Sequence, residues 1–319
     1  MRAQVTRRAG IVGGGSIGIA FAVVFARAGW QVRLYDPAAE RRELAAAEIM
    51  QRLDELTRFG LLDEAASEIA ARVAIVTTLE AAAADADLVQ ECAPEREAIK
   101  RDLFAQLDRA APAHAILASA SSFLAASRFV DETLPGRGRC LVAHPGNPPY
   151  LIPVVEIVPA PFTDADAVTR AMKLFTEAGL KPIRVAREVE GFVFNRLQGA
   201  LLREAYCLVR DGVASVDDVD TVVREGLGLR WSVIGPFETV DLNTRGGIAS
   251  HAQKMGPSYA RMGAERGQHD PWTSELVAAV DTARRSALPL DQWEARVAWR
   301  DRALMSLARY RKESAANDS

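Results

Sequence analysis

The segment His144-Pro-Gly-Asn-Pro-Pro-Tyr-Leu-Ile-Pro-Val-Val-Glu156 sets an imidazole after one short apolar run, Cys140 to Ala143. It sets a carboxylate inside the next run, Val154 to Val158. Between them lie Pro145, Pro148, Pro149 and Pro153, each with φ fixed near one value. A connector of that stiffness suits delivery of a carboxylate to an imidazole. The acid fixes the tautomer of the histidine and stabilises the imidazolium that forms, so the pair makes a poised proton acceptor. A strand-capping histidine and a solvated glutamate would satisfy the same spacing, so the pair gains weight only from what surrounds it.

A glycine-rich turn supplies the first support. Ala9-Gly-Ile-Val-Gly13-Gly14-Gly15-Ser16-Ile17-Gly18 matches G-x-G-x-x-G, with a short apolar strand before it and an apolar helical run, Ile19 to Ala28, after it. Trp30-Gln-Val-Arg-Leu-Tyr-Asp36 reads as the next strand and ends in an acid 18 residues beyond Gly18. Gly13 permits the tight turn, Gly15 the close approach of a pyrophosphate, and Gly18 the packing of helix on strand. The N–H groups of Ser16 and Ile17, at the positive end of the helix, face the phosphates. Asp36 accepts hydrogen bonds from an adenosine ribose and repels a 2′-phosphate, which favours NAD over NADP.

The chain between the turn and the histidine must bring the two together, and it alternates as that requires. Short apolar runs at Val73 to Thr77, Leu88 to Cys92, Ala115 to Ser119 and Cys140 to Ala143 have the character of parallel strands. Helical patterns at 37–59, 95–110 and 123–130 separate them. The alternation predicts an α/β fold with a Rossmann-type doubly wound sheet. Its ligands bind at the carboxyl ends of the strands, where Glu91, Ser119, Ser122 and His144 all fall. Thr163, with Asp166 three residues on, opens a helix reaching Ala178, and a short strand follows near Pro182 to Val185. From Glu190 the periodicity is helical, with Val193, Leu197, Leu201, Ala205 and Leu208 as the core face of a long helix. Gly-Pro pairs at 235–236 and 256–257 interrupt the later helical pattern, and 314–319 reads as a frayed tail. Two domains follow: a dinucleotide-binding domain over 1–189 and an all-α C-terminal domain over 190–319.

Further side chains could serve the same edge. Asn195 lies off the apolar stripe of its helix, where its amide can donate to an oxygen gaining negative charge or simply cap the helix. Ser122, in Ala118-Ser119-Ala-Ser121-Ser122, can hydrogen-bond a substrate hydroxyl or cap the helix after it; Ser119 or Ser121 could take its place. Arg230 could clamp a carboxylate bidentately. Cys92, Cys140 and Cys207 are far apart in apolar surroundings, which indicates reduced, buried thiols and no metal site. A net charge of −3 offers no attraction for nucleic acid or an anionic membrane. No apolar stretch approaches the ~20 residues of a membrane span. Arg7-Arg8 and the run from Ile17 to Ala26 imitate a signal peptide, but glycines break up its start and a strand follows, so a cytoplasmic location is expected.

Together these pieces resemble the 3-hydroxyacyl-CoA dehydrogenase superfamily over nearly the whole chain. The likeness is carried by the glycine turn with Asp36, Glu91-Cys-Ala-Pro-Glu95, the serine cluster, His144-Pro-Gly-Asn-Pro, Glu156 and Gly191-Phe-Val-Phe-Asn195-Arg-Leu. Longer runs, among them Val142-Ala-His-Pro-Gly-Asn-Pro-Pro-Tyr150 and Glu225-Gly-Leu-Gly-Leu-Arg230, are similar to its lambda-crystallin branch, also known as L-gulonate 3-dehydrogenase. The resemblance implies a catalytic His144–Glu156 dyad with Ser122 and Asn195 on the reacting oxygen. It implies NAD contacts from Glu95 and Lys100 and a homodimer paired through the helical domain. The implied reaction is NAD-dependent oxidation of the 3-hydroxyl of a small hydroxy acid, L-gulonate first, with L-carnitine or a 3-hydroxyacyl-CoA as alternatives. A crystallin-like structural protein or an NAD-binding scaffold is the implied role of another class. Arginines and acids are mixed from Arg41 to Arg58, without a run of lysines for a CoA phosphate. That favours a free acid, with Arg230 as its carboxylate partner. One departure is local: Ala120-Ser121 precedes Ser122, where the family usually has Asn-Thr or Ser-Thr.

Overall fold

The computed structural model describes residues 6–232, 235–243 and 247–267, with scattered residues between 275 and 313. Strand β1 (Arg8–Val12) turns through the glycines into α1 (Ser16–Arg27), and β2 (Gln31–Tyr35) follows. Helix α1 is buried without a break from Gly18 to Ala26, as its almost wholly apolar sequence demands. Helix α2 (Ala39–Arg58) is amphipathic instead, burying Ala45, Ile49, Leu53 and Leu56 at helical spacing. Next come α3 (Ala66–Ala70), β3 (Val73–Val76), α4 (Leu79–Ala83), β4 (Leu88–Glu91), α5 (Glu97–Ala110) and β5 (Ile116–Ser119). A short α6 (Ala126–Phe129) leads to β6 (Cys140–Pro145), β7 (Val154–Pro159), α7 (Ala165–Glu177) and β8 (Lys181–Arg184).

The eight strands form one sheet in the order β3-β2-β1-β4-β5-β6-β7-β8. The first six in sequence run parallel, β7 pairs antiparallel with β6, and β8 runs parallel to β7. A doubly wound sheet was therefore rightly expected, and its last two strands are reversed. Each face carries its own apolar layer. Phe21, Phe25, Trp30 and Phe175 pack on one, and Phe104, Phe129 and Phe192 on the other. Phe175 of α7 stands 6.4 Å from Phe21 and 6.1 Å from Phe25, ring centre to ring centre, and so locks α7 to α1.

Helix α8 (Phe194–Arg210) begins the helical part, followed by α9 (Val216–Thr221), a π-helical stretch over Val222–Leu227, α10 (Gly228–Trp231), α11 (Pro236–Asn243) and α12 (Gly247–Arg266). Ser215 caps α9 through a reciprocal capping box with Asp218. Contacts divide the chain into two compact units. One holds the residues up to Arg196 and is joined again by the described residues after 297; the other is Leu197–Arg296. Met305 is buried in the core of the first unit.

Three local expectations change. Thr163 does not cap α7: its hydroxyl donates to the Cys140 carbonyl and accepts from Ala160 N–H, fastening the turn after β7 to β6. Gly256-Pro257 does not break the helix, because α12 continues through Pro257 with the loss of one backbone hydrogen bond. The stripe on α8 is not a core face. Leu197 is 62% exposed and Leu201 36%, while Cys207 is the residue of α8 that is fully buried. The expected tail at 314–319 lies outside the described residues. Replacing Phe175 by Ala should cost about 3–5 kcal/mol, because the aromatic layer between α1 and α7 cannot collapse around the lost ring; urea unfolding followed by tryptophan fluorescence measures it.

Candidate active site

Three loops at the carboxyl end of the parallel strands build the site. The first is the glycine turn after β1. Gly13 has φ 110°, and a Cβ there would stand 2.7 Å from the Cys92 carbonyl, so only glycine fits. A Cβ at Gly18 would overlap the Gly13 carbonyl oxygen, which explains the close seating of α1 on β1. Gly15 is different: its Cβ position meets nothing within 4 Å. Gly15 is the N-cap of α1, with no side-chain cap and no acid in the first turn. The N–H groups of Ser16 and Ile17, in the uncapped first turn, have the helix dipole behind them. At the end of β2, Asp36 accepts Gly14 N–H at 2.7 Å through one oxygen and Ala38 N–H at 2.9 Å through the other. Each oxygen keeps acceptor capacity for a ribose hydroxyl. A dinucleotide cofactor fits this cradle, whose helix end carries no acid and whose far side offers Asp36 to a ribose.

The second loop joins β6 to β7. It folds as a hairpin extension, with Gly146 N–H on the Val154 carbonyl at 2.9 Å. His144 and Glu156 are direct partners across the antiparallel ladder, so both side chains leave the sheet on one face. Ladder register, more than proline stiffness, delivers the acid to the imidazole. Glu156 Oε2 lies 2.7 Å from His144 Nδ1, and both residues are buried. Glu156 Oε1 accepts Val193 N–H at 2.7 Å and Phe194 N–H at 2.9 Å. The rings of Phe192 and Phe194 flank the imidazole at 5.7 and 6.2 Å. His144 Nε2 has no hydrogen-bond partner among the described residues and is left to act.

The third loop follows β5 and sorts the three serines. Ser119 Oγ donates to Glu91 Oε2 at 2.6 Å, deep in the protein. Ser121 Oγ donates to Glu95 Oε1 at 2.6 Å and accepts Leu124 N–H at 2.8 Å. Ser122 is only part-buried, and its hydroxyl has no partner among the described residues. Its backbone carbonyl receives the Asn195 amide at 3.1 Å, so these two residues are neighbours. Residues 123–125 are not helical, because Glu95 Oε1 takes Phe123 and Leu124 N–H at 2.6 and 3.0 Å. Desolvation alone would raise the Glu95 carboxyl, but the hydrogen bonds from Ser121, Phe123 and Leu124 and the charge of Lys100 outweigh it and hold it below its ordinary value.

Lys100 is not placed to touch a cofactor. Its side chain is 1% exposed, and its ammonium bonds both oxygens of Glu91 at 2.8 and 2.9 Å, with Ser119 Oγ at 3.3 Å and the Ala93 carbonyl at 3.4 Å. Once Glu91 is buried, its charge demands a countercharge, and Lys100 is spent supplying it. Sequence reasoning missed this pairing, although Glu91 at a strand end nine residues before Lys100 was a visible signal. It also missed Phe192 and Phe194 as walls. Arg230 lies in the second unit, exposed on α10, with no acidic partner among the described residues. Burial pushes the Cys140 thiol up to about 12 and the Cys92 thiol well above its ordinary value, so neither is a nucleophile at neutral pH. Cys92 is only half-buried by surface area, where a buried thiol was expected. No cluster of metal-ligating side chains occurs among the described residues. No helix among them is long and apolar enough to cross a membrane.

The fold and the site define an NAD-dependent dehydrogenase that acts on a CH–OH group. A family model for the 3-hydroxyacyl-CoA dehydrogenase NAD binding domain matches residues 8–189, and one for the 3-hydroxyacyl-CoA dehydrogenase C-terminal domain matches residues 191–289. The lambda-crystallin homolog of Bos taurus is 39% identical over 307 residues, covering 95% of each chain. The chain belongs to the 3-hydroxyacyl-CoA dehydrogenase family, in its lambda-crystallin branch. It is also similar to the L-carnitine dehydrogenase of Streptomyces griseus, 39% identical over 317 residues that cover 95% of this chain and 89% of that one. Among solved structures, it is similar to 5-formyl-3-hydroxy-2-methylpyridine 4-carboxylic acid 5-dehydrogenase, an NAD+-dependent dismutase. That structure matches with a TM-score of 0.80 and 28% identity, over 96% of this chain and 98% of that one.

Two predictions follow from the buried and half-buried acids. Lys100→Met leaves Glu91 charged and unpaired, and should cost about 3–5 kcal/mol in urea unfolding. Because the Glu95 carboxyl is held low, its contribution is complete above the ordinary carboxylate range near about pH 4 and is lost as pH falls through its depressed value. Acid titration of fluorescence should show a shallower transition in Glu95→Gln than in the wild type.

Proposed function

We propose that the protein oxidises the 3-hydroxyl of a small free hydroxy acid, with L-gulonate as the first candidate. The observation that carries this reading is a buried imidazole braced by Glu156 at Nδ1, with Nε2 left free. NAD, when bound, accepts the hydride. The residues of the chain do the rest. Neutral His144 takes the hydroxyl proton at Nε2, and Glu156 stabilises the imidazolium that results. Ser122 Oγ, the one serine hydroxyl of its loop not spent on an acid, and the Asn195 amide hold the oxygen that changes from alcohol to carbonyl. Gly13, Gly15, Ser16, Ile17 and Gly18 seat the dinucleotide, and Asp36 takes its adenosine ribose. Glu95 orders the serine loop through one oxygen, and its other oxygen is our choice for a cofactor contact.

Arg230, exposed and without an acidic partner among the described residues, is our choice for the substrate carboxylate. The similarity to an L-carnitine dehydrogenase gives L-carnitine as the second substrate to test. The exposed leucines of α8 support a homodimer through the second unit, since an apolar stripe of this kind on a soluble enzyme seeks a partner surface.

The test is an absorbance assay of NADH formation with L-gulonate, L-carnitine, 3-hydroxybutyrate and 3-hydroxybutyryl-CoA. Turnover should be highest with a free acid and far slower with NADP. His144→Gln should lower kcat by about 10²–10⁴-fold while NADH still binds. Undiminished turnover in that variant removes the mechanism, and turnover confined to the thioester removes the free-acid assignment.

A further inference from the structure

We infer that Arg52, on α2, is a further cofactor-binding residue that closes the pyrophosphate cradle from the side. Its guanidinium donates to the Ser16 carbonyl at 3.0 Å and to Ser16 Oγ at 3.2 Å, both at the first turn of α1. It also lies over the ring of Tyr150, 5.7 Å from the centroid, which ties it to the hairpin between His144 and Glu156. These contacts fix the group beside the turn, although Arg52 reaches it from a separate helix 36 residues away in sequence. Two hydrogen bonds to one residue and the contact with the Tyr150 ring hold the guanidinium from two sides.

The charge of Arg52 is unanswered. Its hydrogen-bond partners are neutral oxygens, and no acid pairs with it among the described residues. Arg41 shows the contrast. It too donates to the glycine turn, at the Gly14 carbonyl, but Glu48 neutralises it at 2.9 Å. The first turn of α1 holds no acid, and a Cβ built on Gly15 would meet no atom beyond its chain neighbours within 4 Å. A guanidinium has five N–H donors, of which Arg52 spends two on Ser16. The remaining donors, the free N–H groups of Ser16 and Ile17 and the helix dipole act together on one anion. A pyrophosphate seated on this turn supplies it. The inference rests on the placement of the dinucleotide at the glycine turn and adds a residue that the glycine motif does not contain.

Calorimetric titration of wild type, Arg52→Met and Arg52→Lys with NADH, ADP and adenosine tests it, with thermal melts as a check on folding. Arg52→Met should bind NADH and ADP on the order of tenfold more weakly, as expected for a charge-assisted bond, and adenosine within about twofold of wild type. Added salt should weaken ADP binding more steeply in wild type than in the Met variant, and Lys should recover part of the loss. An unchanged Kd for ADP overturns the inference. An equal loss for adenosine also does so, because it means a disordered loop. A raised substrate KM at unchanged NADH affinity overturns it too, since the charge then serves the substrate. Wild-type protein that bound no ADP would instead remove the dinucleotide from the glycine turn, a failure separate from that of Arg52.

Discussion

The candidate site of this protein hangs on one carboxylate. Glu156 is buried and accepts three hydrogen bonds, one from the imidazole of His144 and two from backbone N–H groups of Val193 and Phe194. A buried carboxylate with fewer partners would protonate or be excluded. The three donors come from β6 and from the entry to α8, so satisfying the acid forces those elements together. The backbone bears a cost for this. Phe192 is held at φ 49°, a left-handed conformation that a bulky residue avoids and that costs about 1–3 kcal/mol. Its fully buried ring and the two N–H bonds that follow it hold it there. Asn195 arrives beside Ser122 as a consequence, because the helix that carries it starts where Glu156 dictates.

A second buried charge organises the other half of the edge. Glu91 ends β4, and its oxygens gather Lys100, Ser119 and the N–H of Ala93. Ala93 and Cys92 form the wall against which Gly13 is pressed. Ser119 in turn receives Ser121 N–H, and Ser121 is bonded to Glu95. One ion pair thus ties the glycine turn to the serine loop. Ion pairs of this kind add little net stability over an apolar core, yet removing one member is severe. Their gain is geometric: the glycine turn and the serine loop are pinned to a single point. Two of the three serines are consumed by acids in this arrangement, which leaves the hydroxyl of Ser122 available.

The legible parts of the sequence were those whose signal is local. The glycine turn, the acid at Asp36 and the alternation of short apolar runs with helices depend on residues near one another in the chain, and the strands through Ala143 fell where they were read. The His144–Glu156 pair was legible as a spacing, but its cause was not. An antiparallel ladder sets it, and strand direction leaves no mark in a run such as Val154 to Val158. Long-range pairings were the illegible class. Lys100 reads the same whether it meets a phosphate or a buried glutamate, and Glu95 gives no sign that it caps a loop 28 residues away. The stripe on α8 shows the same limit in apolar form. Periodicity marks a face that avoids water, and it cannot say whether the cover comes from the same chain.

The separation of chemistry from substrate choice follows from where these contacts lie. Every bond that holds the dyad, sorts the serines or shapes the glycine turn falls within residues 13–195, inside a single compact unit. A chain of this fold can therefore keep these pairings and the glycine turn intact while residues elsewhere change. That explains how one chain can be equally similar, at 39% identity, to proteins named as a lambda-crystallin homolog and as an L-carnitine dehydrogenase. A carboxylate at the end of a small acid asks for a fixed cation, and a quaternary ammonium asks for aromatic faces. Neither demand touches Glu156, Glu91 or their partners. Charged and aromatic residues away from these two acids are free to vary, while the acids cannot move without disrupting the edge they hold.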